Sequence, residues 1–274
     1  GSLYKWVSTL QYVVQRARID LGYSVMRISG YMSSPNKPIF DVLHLTMSFL
    51  YHHPHRPFMY PSKPLPKIDM TGHFGAGKDE FLKAYKSFLV GAADSDLARD
   101  LRDRRSTTSN LITINNVATH WKIAKQPEPT TATSNAELMA LHSQLQEIKK
   151  VRNFSTSIGY PILEPTTVFE DNQGTIKSIN TDKITPTHRN HDVMIHTVLH
   201  HKRIGTFQVQ ECKSDLMLAD PNTKPLGGPT LKRKIDRIIG TQYYPPEDSE
   251  HYKLLFLAQE VSIDNISPSP TTPS

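Results

Sequence analysis

The chain has 274 residues, 37% hydrophobic and 21% charged, a composition that suits one large globular domain or a domain with an appended piece. No apolar run approaches the roughly 18 residues of a membrane span, and no leader-like stretch precedes Tyr4-Lys5-Trp6. The single cysteine, Cys212, excludes an internal disulfide and fits a reducing compartment. With 32 Lys and Arg against 26 Asp and Glu the formal charge is +6, a mild bias toward an anionic partner, nucleic acid first.

In chain order, residues 3 to 60 read as two helices. Leu10, Val13, Val14, Leu21, Val25 and Ile28 recur at helical spacing; after the Ser33-Ser34-Pro35-Asn36 break come Phe40, Leu43, Leu45, Met47 and Leu50. Five prolines, at 54, 57, 61, 64 and 66, followed by Gly72, Gly75 and Gly77, give the region from 54 to 77 the character of a linker. A strand near 86 to 93 leads through a charged loop, residues 99 to 105, to strands at 111 to 114 and 117 to 123, with Asn115-Asn116 as a hairpin turn. A helix from Asn135 to about Val151 shows Leu138, Leu141, Leu145 and Ile148 on one face. Next come a strand at 166 to 170, a short helix at 172 to 180, a helix around 193 to 201, a strand at 206 to 210 and a short helix around 214 to 222. From Gly227 the chain turns basic, and residues 267 to 274 have the composition of disorder. The plan is α/β with a mixed five-stranded sheet flanked by helices, preceded by a small helical subdomain. The boundaries implied are 1-60, helical; 61-80, linker; 81-226, the α/β domain; and 227-274, a basic then disordered tail.

Four acids sit at the edges of apolar segments. Asp94 follows Phe88-Leu89-Val90-Gly91-Ala92-Ala93, and Glu137 opens the helix after Ser134-Asn135-Ala136. Asp171 follows Thr166-Thr167-Val168-Phe169-Glu170, and Asp220 follows Leu216-Met217-Leu218-Ala219. Carboxylates gathered in one pocket raise one another's pKa and stay ionised only around a cation. Hard oxygen ligands imply Mg²⁺, with Mn²⁺ as substitute, and a pair of such ions is a common device for hydrolysing phosphodiesters. Each acid also has a local structural reading. Glu137 stands three residues after Ser134, the spacing of a capping box; Asp171 is placed to cap the helix after it; Asp94 and Asp220 are placed as solvated element ends. Asp96 rivals Asp94, because one residue of slippage exchanges the faces of a strand.

Five ordered blocks carry a resemblance: Ala93-Asp94-Ser95-Asp96-Leu97-Ala98, Arg104-Arg105-Ser106-Thr107-Thr108-Ser109, Ala124-Lys125-Gln126-Pro127, Glu170-Asp171-Asn172-Gln173-Gly174-Thr175-Ile176, and the stretch Leu218-Ala219-Asp220-Pro221-Asn222-Thr223-Lys224-Pro225-Leu226. They resemble the ribonuclease H region of Ty1/copia-type retrotransposon polyproteins. Upstream, Arg18-Ile19-Asp20-Leu21 and Tyr31-Met32-Ser33-Ser34-Pro35 resemble the segment joining the reverse transcriptase palm to that region, so the likeness covers about residues 2 to 240. The resemblance implies a ribonuclease H-like fold and an endoribonuclease that cuts the RNA strand of RNA/DNA hybrids. It implies two Mg²⁺ ions held by Asp94, Glu137, Asp171 and Asp220, and nucleic-acid contacts from Arg104, Arg105, Lys125, Asn172 and Gln173. The partners implied are the hybrid and the reverse transcriptase portion of the same polyprotein, with no membrane. The location implied is cytoplasmic, within a virus-like particle, or nuclear, and not secreted.

The sequence departs from the family pattern at Leu97, where Trp is usual, at Ile19, where Pro is usual, and at Asn190-His191-Asp192, a shifted Lys-His motif. Cys212-Lys213-Ser214 stands in the loop where cellular ribonucleases H carry a histidine. A catalytically decayed or domesticated module that tethers a reverse transcriptase to hybrid is the alternative function. Residues 72 to 78 fit Gly-x-x-x-x-Gly-Lys, but Asp79 replaces the hydroxyl residue and no strand leads in. His196 and His200 share a helix face, which reads as solvated without further zinc ligands. Residues 231 to 237 form a basic amphipathic stretch that either contacts phosphate or makes an ordinary charged helix.

Overall fold

A computed structural model describes residues 2–60, 89–97, 103–114, 117–182 and 191–240. The glycine-rich segment 72 to 78, the start of the first strand, Arg99 to Arg102, the Asn115-Asn116 turn and the terminal tail lie outside the described residues.

Three helices open the chain: α1 (Ser2–Arg16), α2 (Gly22–Ser29) and α3 (Lys37–His52). The periodic stretch expected as one helix is two. Arg18 leaves helical backbone at φ −127° and ψ 66°, and a 3-10 turn over Ile19–Leu21 redirects the chain. The Arg18 guanidinium holds both carboxylate oxygens of Asp20 at 2.9 Å and donates to the His53 carbonyl at 2.7 Å. Helix α3 begins where the break predicts: Asn36 caps it by accepting from the Ile39 amide, with Pro38 in the first turn.

The sheet is built from β1 (Leu89–Ser95), β2 (Thr107–Ile114), β3 (Val117–Lys125), β4 (Thr166–Glu170) and β5 (Phe207–Glu211), in the spatial order β3-β2-β1-β4-β5. β1 pairs antiparallel with β2 and parallel with β4, and β4 pairs parallel with β5. Helices α4 (Thr133–Ser157), α5 (Gln173–Asn180), α6 (Asp192–Arg203) and α7 (Gly228–Ile239) complete the described elements. This is the ribonuclease H-like mixed sheet that the sequence leads one to expect.

Both faces of the sheet are covered, so its central strands are buried almost throughout. On one face α4 lays Leu138, Leu141, Leu145 and Ile148 against Leu89, Ala93, Ile112 and Val168. Gly91 lets α4 approach: a Cβ there would lie 2.5 Å from Gln144 Nε2, which donates to the Leu111 carbonyl. On the other face α1, α2 and α7 share one core with Ala92, Leu111, Trp121 and Phe169. Trp121 Nε1 donates to the Val14 carbonyl at 2.8 Å, and its ring stacks on Phe58 at 5.2 Å.

Two expectations are corrected here. The segment 214 to 222 forms turns and one 3-10 turn at Asp220–Asn222, with Pro221 in it, rather than a helix. The basic amphipathic stretch that opens the segment 227-274 is helical, one of the two readings it allowed, and it belongs to the core rather than to a tail. It forms α7, whose Leu231, Ile235, Ile238 and Ile239 are core residues.

Candidate metal centre

The chemistry gathers at the carboxyl ends of β1 and β4. Parallel neighbours end on the same side of a sheet, which opens a crevice there. Asp94 lies one residue before the end of β1 and opposite Ser109, fully buried. Glu170 ends β4 and Asp171 follows it. The first turns of α4 pass over this edge and bring in Glu137, 3% exposed.

Oxygen atoms of Asp94, Glu137 and Asp171 lie within 4.8 Å of one another. Among the described residues no other group of three or more acids, histidines or cysteines converges in this way. The local structural readings fail. The residue capping α4 is Ala132, which makes no side-chain cap, and Glu137 Oε2 is buried without a hydrogen-bond partner. The cap of α5 is Asn172, whose side chain accepts from the Thr175 amide at 2.9 Å, not Asp171. Asp96 accepts from the Thr107 amide and braces the start of β2, which leaves Asp94 as the member of the trio.

Burial pushes the Asp94 carboxyl up to about 7, Asp220 adding to the rise while Lys224 and Thr223 oppose it. Burial raises Glu137 as well, reinforced by Glu170, Asp94 and Asp171. Glu170, which was not foreseen as part of the site, is fully buried and raised by the same desolvation. Its Oε1 accepts from the Asn172 amide at 3.1 Å, while Oε2 has no partner. Three hard oxygen donors, one buried and unsatisfied, fit a divalent ion of the Mg²⁺ or Mn²⁺ kind. The cleft above them, about 450 Å³, is lined by Ser95, Asp96, Leu97, Thr133, Glu137, Asp171, Asn172 and Lys224.

Asp220 stands apart from the trio. Its Oδ1 is 2.6 Å from Lys224 Nζ and its Oδ2 is 2.7 Å from Lys234 Nζ. Lys224 also reaches Asp94 at 2.9 Å and Asp171 at 3.9 Å. Burial opposes the Lys224 charge, but Asp94 and Asp220 outweigh it and raise its pKa. Thr223 donates to Asp94 Oδ2, and Ser214 donates to Asp171 Oδ2 at 2.7 Å.

The expected nucleic-acid contacts spread around this edge. Arg105 and Lys125 both engage Asp103, at 2.9 and 2.8 Å. They line a second groove with Tyr23, Arg27 and Asn222, and this groove meets the first cleft at Asp96. Arg104 is exposed in left-handed backbone, φ 54°. Gln173 is exposed and donates to Glu211. His196 is exposed and pairs with Asp192.

Lys224, Thr223, Ser214, Glu170 and Lys234 escaped the sequence reading. A signal existed for Lys234, which lies three residues after Leu231 and one before Ile235, on the apolar face of α7. A lysine there is buried, and a buried ammonium needs an acid.

No family model matches the chain. It is 24% identical over 241 residues to the retrovirus-related Pol polyprotein from transposon RE2 of Arabidopsis thaliana. Its identity to the corresponding polyprotein from transposon RE1 of the same plant is 22% over 241 residues. Each match covers 88% of this chain and 15% of the polyprotein, so the chain spans a small part of those relatives. Secreted RxLR effector protein 161 of Plasmopara viticola is 27% identical over 141 residues, covering 52% of this chain and 84% of the effector. Similar solved structures include LC11-RNase H1 in complex with RNA/DNA hybrid, with 14% identity, a TM-score of 0.37, and coverage of 47% of this chain and 88% of that one. RNase H1 from Halobacterium salinarum has 12% identity and a TM-score of 0.35, with 48% and 89% covered.

Proposed function

We propose that this chain, a homologue of a region of copia-type retrotransposon Pol polyproteins, is an endoribonuclease that cuts the RNA strand of RNA/DNA hybrids with the help of a divalent cation. The observation that supports it most is the convergence of Asp94, Glu137 and Asp171 within 4.8 Å, with an unsatisfied buried oxygen on Glu137. A bound Mg²⁺ or Mn²⁺ would supply an activated water and neutralise charge on the phosphoryl oxygens.

The remaining work falls to the chain's own groups. Thr223 and Ser214 hold the Asp94 and Asp171 carboxylates in fixed orientation by donating to them. Glu170, buried at the end of β4, accepts from the Asn172 amide and so fixes the chain where Asp171 leaves the strand. Arg105 and Lys125, at the second groove, carry the charge to follow a nucleic-acid backbone. The 2′-hydroxyls of the RNA, displayed in the shallow groove of the hybrid, provide the basis for strand choice. In this reading the chain serves a reverse transcriptase encoded by the same element, inside a particle or the nucleus. Among the described residues no helix is long and apolar enough to cross a membrane.

Cleavage of a labelled RNA/DNA hybrid in Mg²⁺, with chelator and with RNA alone as controls, tests the proposal. Metal-dependent cutting of the hybrid alone is the expected result. A folded chain that binds hybrid in a salt-dependent manner and never cuts it would replace this reading with the tethering module. That second reading draws on Lys224, whose ammonium already engages Asp94 and Asp220.

A further inference from the structure

From the arrangement of Lys224 and Lys234 we infer that this centre takes one divalent ion, not two, and that the Lys224 ammonium occupies the place of a second cation between Asp94 and Asp220. The inference rests on the carboxylate-metal reading above and concerns how many ions the carboxylates hold.

Both oxygens of Asp220 are committed to ammonium groups, Oδ1 to Lys224 and Oδ2 to Lys234. Lys234 cannot be spared. Its side chain is 2% exposed, and Nζ donates to the carbonyls of Ser214 and Met217, at 3.0 and 2.7 Å, besides Asp220. Pulling Asp220 onto an ion would strand that buried charge.

Lys224 is more exposed, with 27% of its side chain accessible, but it is tied in by its neighbours. It is four residues from Asp220 along the chain, and its neighbour Thr223 donates to Asp94. One ammonium thus bridges the acid of β1 and the acid of the 3-10 turn, which is the bridging work a second ion would do. The third contact, 3.9 Å to Asp171, leaves that carboxylate available to the trio.

The ammonium groups act in the same direction. Lys224 already stands 2.9 Å from Asp94 and 2.6 Å from Asp220, so a second divalent ion between those two acids would meet like-charge repulsion at close range.

The test is a Mn²⁺ titration at mildly alkaline pH, followed by electron paramagnetic resonance, on the whole chain and on Lys224→Gln and Lys224→Arg. The inference expects one bound Mn²⁺ with an uncoupled spectrum in the wild type and in Lys224→Arg. It expects two ions and a spin-coupled spectrum in Lys224→Gln. Two ions in the wild type would overturn the inference and leave the carboxylate centre intact. A single ion in a folded Lys224→Gln would also overturn it, because removing the ammonium would then have vacated nothing. Should Lys224→Gln not fold, the wild-type and Lys224→Arg counts still decide. No bound ion in the wild type would sink the metal reading itself, an outcome separate from both.

Discussion

Two of the buried aspartates of this protein, Asp20 and Asp94, are pushed in opposite directions by their surroundings. Asp20, 3% exposed, faces two arginines: Arg18 in a two-pronged pair at 2.9 Å and Arg56 at 3.6 Å. Burial works against its charge, yet the arginines win and its carboxyl is held below the usual carboxylate range. Asp94, fully buried, has one ammonium beside it and several carboxylates around it, and burial carries it up to about 7. Asp20 is over-supplied with cation, and it fastens the turn between α1 and α2 to the end of α3. Asp94 is under-supplied, and such a group either holds a proton or takes a cation. A buried acid by itself says little about function; the sign of its charge deficit says more.

The largest expected effect breaks the pair apart by chemistry. Asp94→Asn should lower hybrid cleavage by roughly a thousandfold or more, about 4 kcal/mol of barrier, while the fold survives. Rates on a labelled hybrid beside a circular dichroism melt would check both halves. Asp20→Asn should do the reverse. Removing one partner of a buried ion pair costs about 3–5 kcal/mol of stability, readable as a lower urea midpoint, with Mn²⁺ affinity unchanged in the folded fraction.

A smaller effect sharpens the comparison without metal. Glu137 is burdened by burial and by Glu170, Asp94 and Asp171. Glu137→Gln should therefore stabilise the metal-free chain by about 1 kcal/mol at mildly alkaline pH, at the expense of activity. The same deficit sets a pH dependence. Asp94, Glu137 and Glu170 have raised pKa values when folded, so between the ordinary carboxylate range and about 7 the folded chain holds more protons than the unfolded one. That contribution to stability is therefore present at acidic pH and is lost as pH rises through the folded-state values, about 7 for Asp94. Urea midpoints measured against pH should show a wild-type decline that Glu137→Gln flattens and saturating Mn²⁺ reduces.

The smallest effect belongs to an ion pair with one exposed partner, since Glu147 is buried and Lys150 is not. Glu147 pairs with His120, Lys122 and Lys150, and the Lys150 side chain is 68% exposed. Lys150→Ala should change stability by less than about 1 kcal/mol, within the scatter of a melt, because two partners remain. A loss as large as that of Asp20→Asn would show that burial does not separate the classes of ion pair.

Much of this arrangement was legible in the sequence, and the failures have causes. The strand Thr166–Glu170 and the apolar face of α4 follow from β-branched runs and helical spacing, which tertiary packing reinforces. The split between α1 and α2 was hidden because it depends on Arg18 finding Asp20 and the His53 carbonyl, the latter 35 residues away. Periodicity places Asp94, Glu137 and Asp171 at element ends, but the parallel pairing of β1 with β4 brings the ends together. The sequence reading makes Asp220 a fourth metal ligand, whereas the structure leaves it outside the trio and pairs it with Lys224 and Lys234. A lysine reads as solvated until the face it occupies is known to be buried.

In the proposed function the deficit around Asp94 is a cation site, whereas Asp20 is already satisfied by Arg18 and Arg56. The most direct measurement is the melting temperature of the wild type and of Asp171→Asn, with and without saturating Mn²⁺ at mildly alkaline pH. An ion that binds only the folded state must raise it. A clear Mn²⁺-dependent rise in the wild type that disappears in Asp171→Asn is the predicted result. A melting temperature indifferent to Mn²⁺, or a rise that persists undiminished in Asp171→Asn, would contradict the account.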